Sequence, residues 1–326
     1  MTSPFSIVGA GALGQSYTAL LASSGQSVTL LATERMERRL RDAGAIQLRG
    51  AVSAVVPLER FCLTSDPSRL EADTAVIFTT KGTDLPAAID AVRSGANDRI
   101  AWTAGVQNGV LKDDLLALAF GPERVVGAAT IFGATREADG GVLVFGRGGT
   151  YLGEHDGRPS ERVREAAARF DAAGIPTEAR TDIRSVLWSK ACNATGVFGV
   201  TVLARVSNQR LFSDRDLMRA YLALVRETAA LGLAYGVEVA NIPAFPPIRS
   251  FVERDEQAIL DEVRPAPPSD APPAYASMTH DLLAGLPLEV DAIFGDMVER
   301  AEARGVPVPS LRLTRDLIRG IDPGRH

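Results

Sequence analysis

Apolar and polar positions follow a strand-and-helix rhythm along the first half of the chain. Phe5-Ser-Ile-Val8 is a short apolar run of strand type. A helix-like stretch from Ala12 to Ser24 follows, with Leu13, Tyr17, Leu20 and Leu21 near helical spacing, and Gly25 stops it. Val28-Thr-Leu-Leu31 predicts a second buried strand. The alternation continues with a strand over Thr74 to Thr80, a helix from about Asp84 to Val92 and a strand at Ile100-Ala-Trp-Thr103. A helix from Leu111 to Ala119 and a strand at Val125 to Thr130 come next. From Ile131 to Gly153 the runs turn short, β-like and glycine-rich, which predicts antiparallel strands at the sheet edge. Glu161 to Ala173 reads as a helix. The expectation is an open α/β sheet whose ligands sit outside the carboxyl ends of the strands.

After about Thr181 the strand signal disappears. Ile183 to Ala194 and Asp216 to Gly236 carry apolar residues at helical spacing, and Pro287 to Arg304 reads as another helix with Leu288, Ala292, Ile293 and Met297 on one face. Gly305-Val-Pro-Val-Pro309 ends it, and Leu311 to Ile318 forms the last helix. The Pro-rich stretch Pro265 to Pro273 reads as an exposed loop. Two domains are expected: a Rossmann-type α/β domain over residues 1–181 and an all-helical domain over 182–326.

Composition narrows the function classes. A net charge of -5 with scattered basic residues shows no polyanion footprint, so neither nucleic acid nor a membrane surface is an expected partner. No unbroken run approaches the ~18 apolar residues of a membrane span, and the start of the chain lacks the basic stretch of a signal peptide. Two cysteines, Cys62 and Cys192, suit a reducing compartment, so a cytoplasmic location is expected. A homodimer is compatible with apolar faces on the helical half, which core packing explains equally well. Lysine is confined to Lys81, Lys112 and Lys190 among many arginines. Lys112 reads as a solvated helix residue, and the other two fall inside motifs.

The first motif is Gly9-Ala-Gly11-Ala-Leu-Gly14, set between strand and helix as a dinucleotide fingerprint requires. Gly9 permits the tight turn, Gly11 lets the backbone approach a pyrophosphate, and Gly14 lets helix pack on strand. Backbone amides at Ala12, Leu13 and Gly14 then meet the phosphate charge. Past the second strand stand Ala32-Thr33-Glu34-Arg35 rather than an immediate acid. Thr33 and Arg35 suit a 2′-phosphate, which favours NADP, whereas an inward Glu34 would favour NAD.

Together with Thr80-Lys81, Gln107-Asn108-Gly109, Trp188-Ser-Lys190, Ser277-Met-Thr-His-Asp281, Glu289 and Gly305-Val-Pro-Val-Pro-Ser310, these motifs resemble the ketopantoate reductase family over nearly the whole chain. The resemblance implies a Rossmann domain, a helical domain and a substrate cleft between them. It also implies hydride transfer from NADPH to the ketone of a 2-oxo acid. Lys190 is similar to the family's catalytic lysine, and Glu289 to the carboxylate that orients it or binds the substrate hydroxyl. Ser277 is similar to a contact for the substrate carboxylate, Asn108 to a residue near both cofactor and substrate, Lys81 to a lysine beside the cofactor, and Asn208 to a further polar contact. Chemistry asks for such parts independently, because reducing a ketone needs a proton at the developing alkoxide and a positioned lysine supplies it.

The chain also departs from the family pattern. Where the family carries asparagines four and eight residues past its lysine, Ala194 and Phe198 stand here, and Ala274 replaces an asparagine three residues before Ser277. Asn193 lies one position off, about 100° around a helix. A pocket that hydrogen-bonds a hydroxyl selects strongly for it and an apolar pocket does not, so a more hydrophobic 2-oxo acid, or a related ketone or imine, becomes the expected substrate. Two other readings remain: an NADP-binding protein of this fold without reductase activity, and an NAD-dependent 2-hydroxyacid or opine dehydrogenase. The latter usually relies on a catalytic histidine, and only His155, His280 and His326 are available. His280 reads as structural. No metal-ligand pattern is expected.

Overall fold

In a computed structural model, which describes residues 3–243, 245–266 and 273–325, the chain forms two compact units. The first comprises Met1–Gln107 and Lys112–Ile183; the second comprises Arg184–His326 together with Asn108–Leu111.

The first unit begins with β1 (Phe5–Val8), α1 (Ala12–Ser23) and β2 (Val28–Leu31). It continues through α2 (Glu34–Ala43), β3 (Ala45–Gly50), β4 (Ala54–Pro57), β5 (Cys62–Thr64), β6 (Thr74–Phe78), α3 (Leu85–Ala96), β7 (Ile100–Gly105) and α4 (Leu111–Phe120). After these come β8 (Val126–Arg136), β9 (Val142–Glu154), α5 (Glu161–Ala172) and β10 (Thr177–Ala179). Strands β5-β2-β1-β6-β7 make a parallel sheet in that order, so the winding direction reverses between β1 and β6. A ligand crevice belongs at that reversal, beyond the carboxyl ends of the two strands. Apolar side chains cover both faces: Phe5, Ile7, Leu30 and Ile77 are buried on one, and Val8, Val76 and Phe78 on the other.

The antiparallel strands expected at the edge of this sheet instead build a second one. Strands β8 and β9 pair along most of their length with two register shifts, and β9 goes on to pair in parallel with β3 and β10. The bridge between Thr103 and Val125 links the parallel sheet to this region. Strand β3, itself paired with β4, and strand β10 flank β9 in this second sheet. Strand β6 also stops at Phe78 rather than Thr80. The Thr79 hydroxyl and amide both turn to the end of β1, donating to Val8 O at 3.0 and 2.8 Å.

The second unit is helical. It contains α6 (Ile183–Ala204), α7 (Asn208–Phe212), α8 (Arg215–Ala234), α9 (Ile248–Glu253), α10 (Glu256–Glu262) and α11 (Ser277–Leu283). A π turn (Asp291–Gly295), α12 (Asp296–Arg304) and α13 (Pro309–Ile321) complete it. Most of the Pro-rich loop expected over 265–273 lies outside the described residues. Helix α6 is long and apolar enough, by length and composition, to cross a membrane, although no unbroken apolar run signals it. It is a core helix here, with 83% of its apolar stretch buried. The helix expected from Pro287 starts later, at Val290, and the Leu288 amide ahead of it donates to Asp322 Oδ1 at 3.0 Å.

Candidate active site

Gly9 leaves β1 with φ +108°, and a Cβ there would stand 2.9 Å from the Thr80 amide nitrogen. A Cβ at Gly14 would overlap the Gly9 carbonyl and stand 2.6 Å from Thr79 Oγ1. Both positions therefore exclude any other side chain. The space above Gly11 is open, with no described atom within 4 Å of an added Cβ. The first turn of α1 bears no acid, and no side chain among the described residues caps it. Open space beside the uncapped positive end of a twelve-residue helix suits a pyrophosphate. The residues present thus fit a dinucleotide.

The wall opposite Gly9 is itself held in place. Gln107 Nε2 donates to Phe78 O and Thr80 O, each at 3.1 Å, which fixes the turn after β6. Its Oε1 is buried without a hydrogen-bond partner among the described residues. Gln107 was visible in sequence only as part of a motif, and neither it nor Thr79 carried a role there. A polar pair at two strand ends was the available signal.

At the end of β2, Thr33 caps α2 by accepting from the Met36 amide at 3.3 Å. An accepting hydroxyl still has its own proton to donate. Thr33, Glu34 and Arg35 are all exposed, as is Lys81 beyond β6. Lys112, expected to be solvated, is 2% exposed and donates to both carboxylate oxygens of Asp113 at 3.0 and 2.9 Å. Tertiary burial between α4 and the end of β7 overrides the helix-surface reading: its stem packs over Gly105.

In the second unit, Lys190 is half-buried on α6. Ala194, Phe198 and Thr201 follow it at intervals of four, four and three, which places all four residues on one helical face. Ala194 and Phe198 are buried. Asn193 does not join this face. It is turned to α8, where Tyr221 Oη donates to its Oδ1 at 3.0 Å. Burial pushes the neighbouring Cys192 thiol up, so it stays protonated and inert.

Thr201 shares a 2.6 Å hydrogen bond with Thr279 and so ties α6 to α11, the helix that Ser277 opens. Ser277 and His280 are both exposed. The Asn208 amide donates to Ala274 O at 2.9 Å, which brings Asn208 to the approach of α11. Asn208 Oδ1 is buried without a partner among the described residues. Glu289 is 8% exposed, not the solvated acid a helix surface would give. Asn108 belongs to this unit. Its neighbour Gly109, at φ +84°, lies so near the π turn that a Cβ would stand 3.0 Å from Ala292 O. The π turn had no sequence signal, and such turns recur at functional sites.

The family model described as ketopantoate reductase PanE/ApbA matches residues 5–157, and its C-terminal counterpart matches residues 182–322. A 2-dehydropantoate 2-reductase of Pyrococcus abyssi is 27% identical over 96% of each chain. The crystal structure of a PanE/ApbA family ketopantoate reductase from Ralstonia eutropha JMP134 covers 99% of both chains at 26% identity, with a TM-score of 0.79. D-mandelate dehydrogenase in complex with NADH shares the fold at 19% identity and a TM-score of 0.78, covering 99% of this chain and 100% of that one. The chain belongs to the ketopantoate reductase family of NADP-dependent oxidoreductases.

Proposed function

We propose that the protein reduces the ketone of a 2-oxo acid with a side chain more apolar than that of ketopantoate. NADPH supplies the hydride when bound. Around it, Gly9, Gly11, Ala12, Leu13 and Gly14 accommodate the pyrophosphate, Thr33 and Arg35 bind the 2′-phosphate, and Lys81 and Asn108 flank the cofactor.

Lys190 protonates the developing alkoxide through its Nζ, and Glu289 orients that ammonium. Ser277 donates to the substrate carboxylate. Asn208, whose buried Oδ1 lacks a partner among the described residues, and Asn108 supply further polar contacts. The domain division at 181/182 separates cofactor residues from substrate residues, except that Asn108 groups with the second set. A cytoplasmic enzyme with a small-molecule substrate fits this chemistry.

The observation that carries the apolar preference is the face of α6. Between Lys190 and Thr201, where the family presents asparagines, this chain presents Ala194 and Phe198. NADPH consumption with ketopantoate and with branched and aromatic 2-oxo acids tests the reading. Higher kcat/KM for the apolar acids supports it, and a strong preference for ketopantoate overturns it.

A further inference from the structure

The stretch that carries Glu289 is held on both sides by residues 319–325. Upstream, the Leu288 amide donates to Asp322 Oδ1 at 3.0 Å, and the same oxygen accepts from the Gly324 amide at 2.9 Å. Asp322 is buried, so these amides have found their partner in a carboxylate rather than in water. The turn is pressed close: a Cβ at Gly324 would stand 2.7 Å from Pro287 Cβ. Downstream, Arg319 Nε donates to Asp291 Oδ1 at 2.8 Å and Arg325 Nη2 to Asp291 Oδ2 at 2.6 Å. Glu289 therefore lies between two anchored neighbours, one residue after Leu288 and two before Asp291. This stretch has no helical hydrogen bonding of its own until Val290.

We propose that Asp322, assisted by Arg319 and Arg325, is a positioning residue that sets where the Glu289 carboxylate stands. The proposal rests on the reading of Glu289 given above. Asp322 reaches no substrate atom; it acts through the backbone of Leu288. Catalytic groups tolerate little displacement, and a misplacement of about 1 Å costs roughly 100-fold in rate. An ordinary stabilising role for α13 would not single out turnover.

The test compares four variants of the full chain. Asp322→Ala removes the acceptor, and Asp322→Asn keeps an oxygen that can accept from Leu288. Glu227→Ala is the control, since Glu227 holds the other end of α13 by accepting from the Ser310 and Leu311 amides at 2.9 and 2.8 Å. Glu289→Gln reports on the underlying reading.

Asp322→Ala is expected to lower kcat by about 30- to 100-fold while the NADPH dissociation constant stays near wild type. Asp322→Asn should recover most of that loss, and Glu227→Ala should lower the thermal midpoint without lowering kcat. If Asp322→Ala fails to fold, the pair Arg319→Gln and Arg325→Gln carries the test, with an expected kcat loss of about threefold for these exposed contacts. Wild-type kcat in Asp322→Ala (or, in its place, in the arginine pair), alongside an inactive Glu289→Gln, overturns the inference and spares the role of Glu289. Equal kcat losses in Asp322→Ala and Glu227→Ala also overturn it, as a stability effect. A fully active Glu289→Gln removes the reading on which it rests.

Discussion

The side-chain amide of Gln107 spans from the end of β7 to the Thr80 carbonyl oxygen at 3.1 Å, and Thr80 is the residue against which Gly9 is pressed. Removing that donor takes a hydrogen bond worth about 1 kcal/mol from the part-buried Thr80 carbonyl and frees the turn beside the dinucleotide loop, while Phe78 O keeps the Val106 amide at 3.1 Å. Gln107→Met, similar in shape, should raise the NADPH dissociation constant by about tenfold. Fluorescence titration measures it. A constant within about twofold of wild type would show that the turn holds without Gln107.

Lys112 and Asp113 form a buried pair, 2% and 8% exposed at their side chains. Breaking such a pair strands one charge in the interior, whereas replacing both partners by apolar residues is often tolerated. Asp113→Asn should cost about 3 kcal/mol of stability, and Lys112→Met with Asp113→Leu should cost less than the single change. Urea unfolding reads both. A double variant less stable than the single one contradicts the account.

Tyr17 is enclosed by hydroxyls, donating to Thr130 Oγ1 at 2.9 Å and sharing a 3.1 Å hydrogen bond with Thr150 Oγ1. Burial pushes its phenol up to about 12, with the threonine contacts pulling weakly the other way. The folded state thus keeps its proton where the unfolded chain, with a phenol near 10, has lost it. This contribution, on the order of 3 kcal/mol, is intact below pH ~10 and is lost as pH rises towards ~12. Tyr17→Phe should flatten the fall in stability across that window. An unchanged slope in denaturation at alkaline pH would show that the phenol does not cause the fall.

The dinucleotide turn was legible in sequence because its constraints are local. Gly9 and Gly14 are fixed by neighbours a few residues away and by one adjacent strand end. The second sheet was not legible, because β3 finds its partner nearly a hundred residues on, with Leu48 opposite Val142. Short strands such as β4 and β5 carry too little periodic signal to stand alone. Lys112 misled for a related reason: a lysine on a helix reads as solvated until a tertiary contact buries its stem. The candidate substrate residues were found through a resemblance and not through pattern. Their setting came from packing, namely Asn193 turned to Tyr221 and Glu289 lodged before a π turn.

The apolar face of α6 makes a specificity prediction. Introducing Ala194→Asn and Phe198→Asn together restores polar groups beside Lys190, and a site that hydrogen-bonds a hydroxyl rejects analogues lacking it. The double variant should shift the kcat/KM ratio towards hydroxylated 2-oxo acids by at least about tenfold. Competition between ketopantoate and a branched 2-oxo acid measures that ratio. No shift would place the hydroxyl-reading residues elsewhere.

The central claim is that Lys190 supplies the proton in an NADPH-dependent reduction. The most direct measurement is kcat of Lys190→Met with the preferred 2-oxo acid, taken together with its NADPH dissociation constant. A kcat lower by roughly 100- to 10,000-fold with cofactor binding unchanged is the predicted result. Near wild-type kcat with intact binding would contradict it and move the acid to another residue.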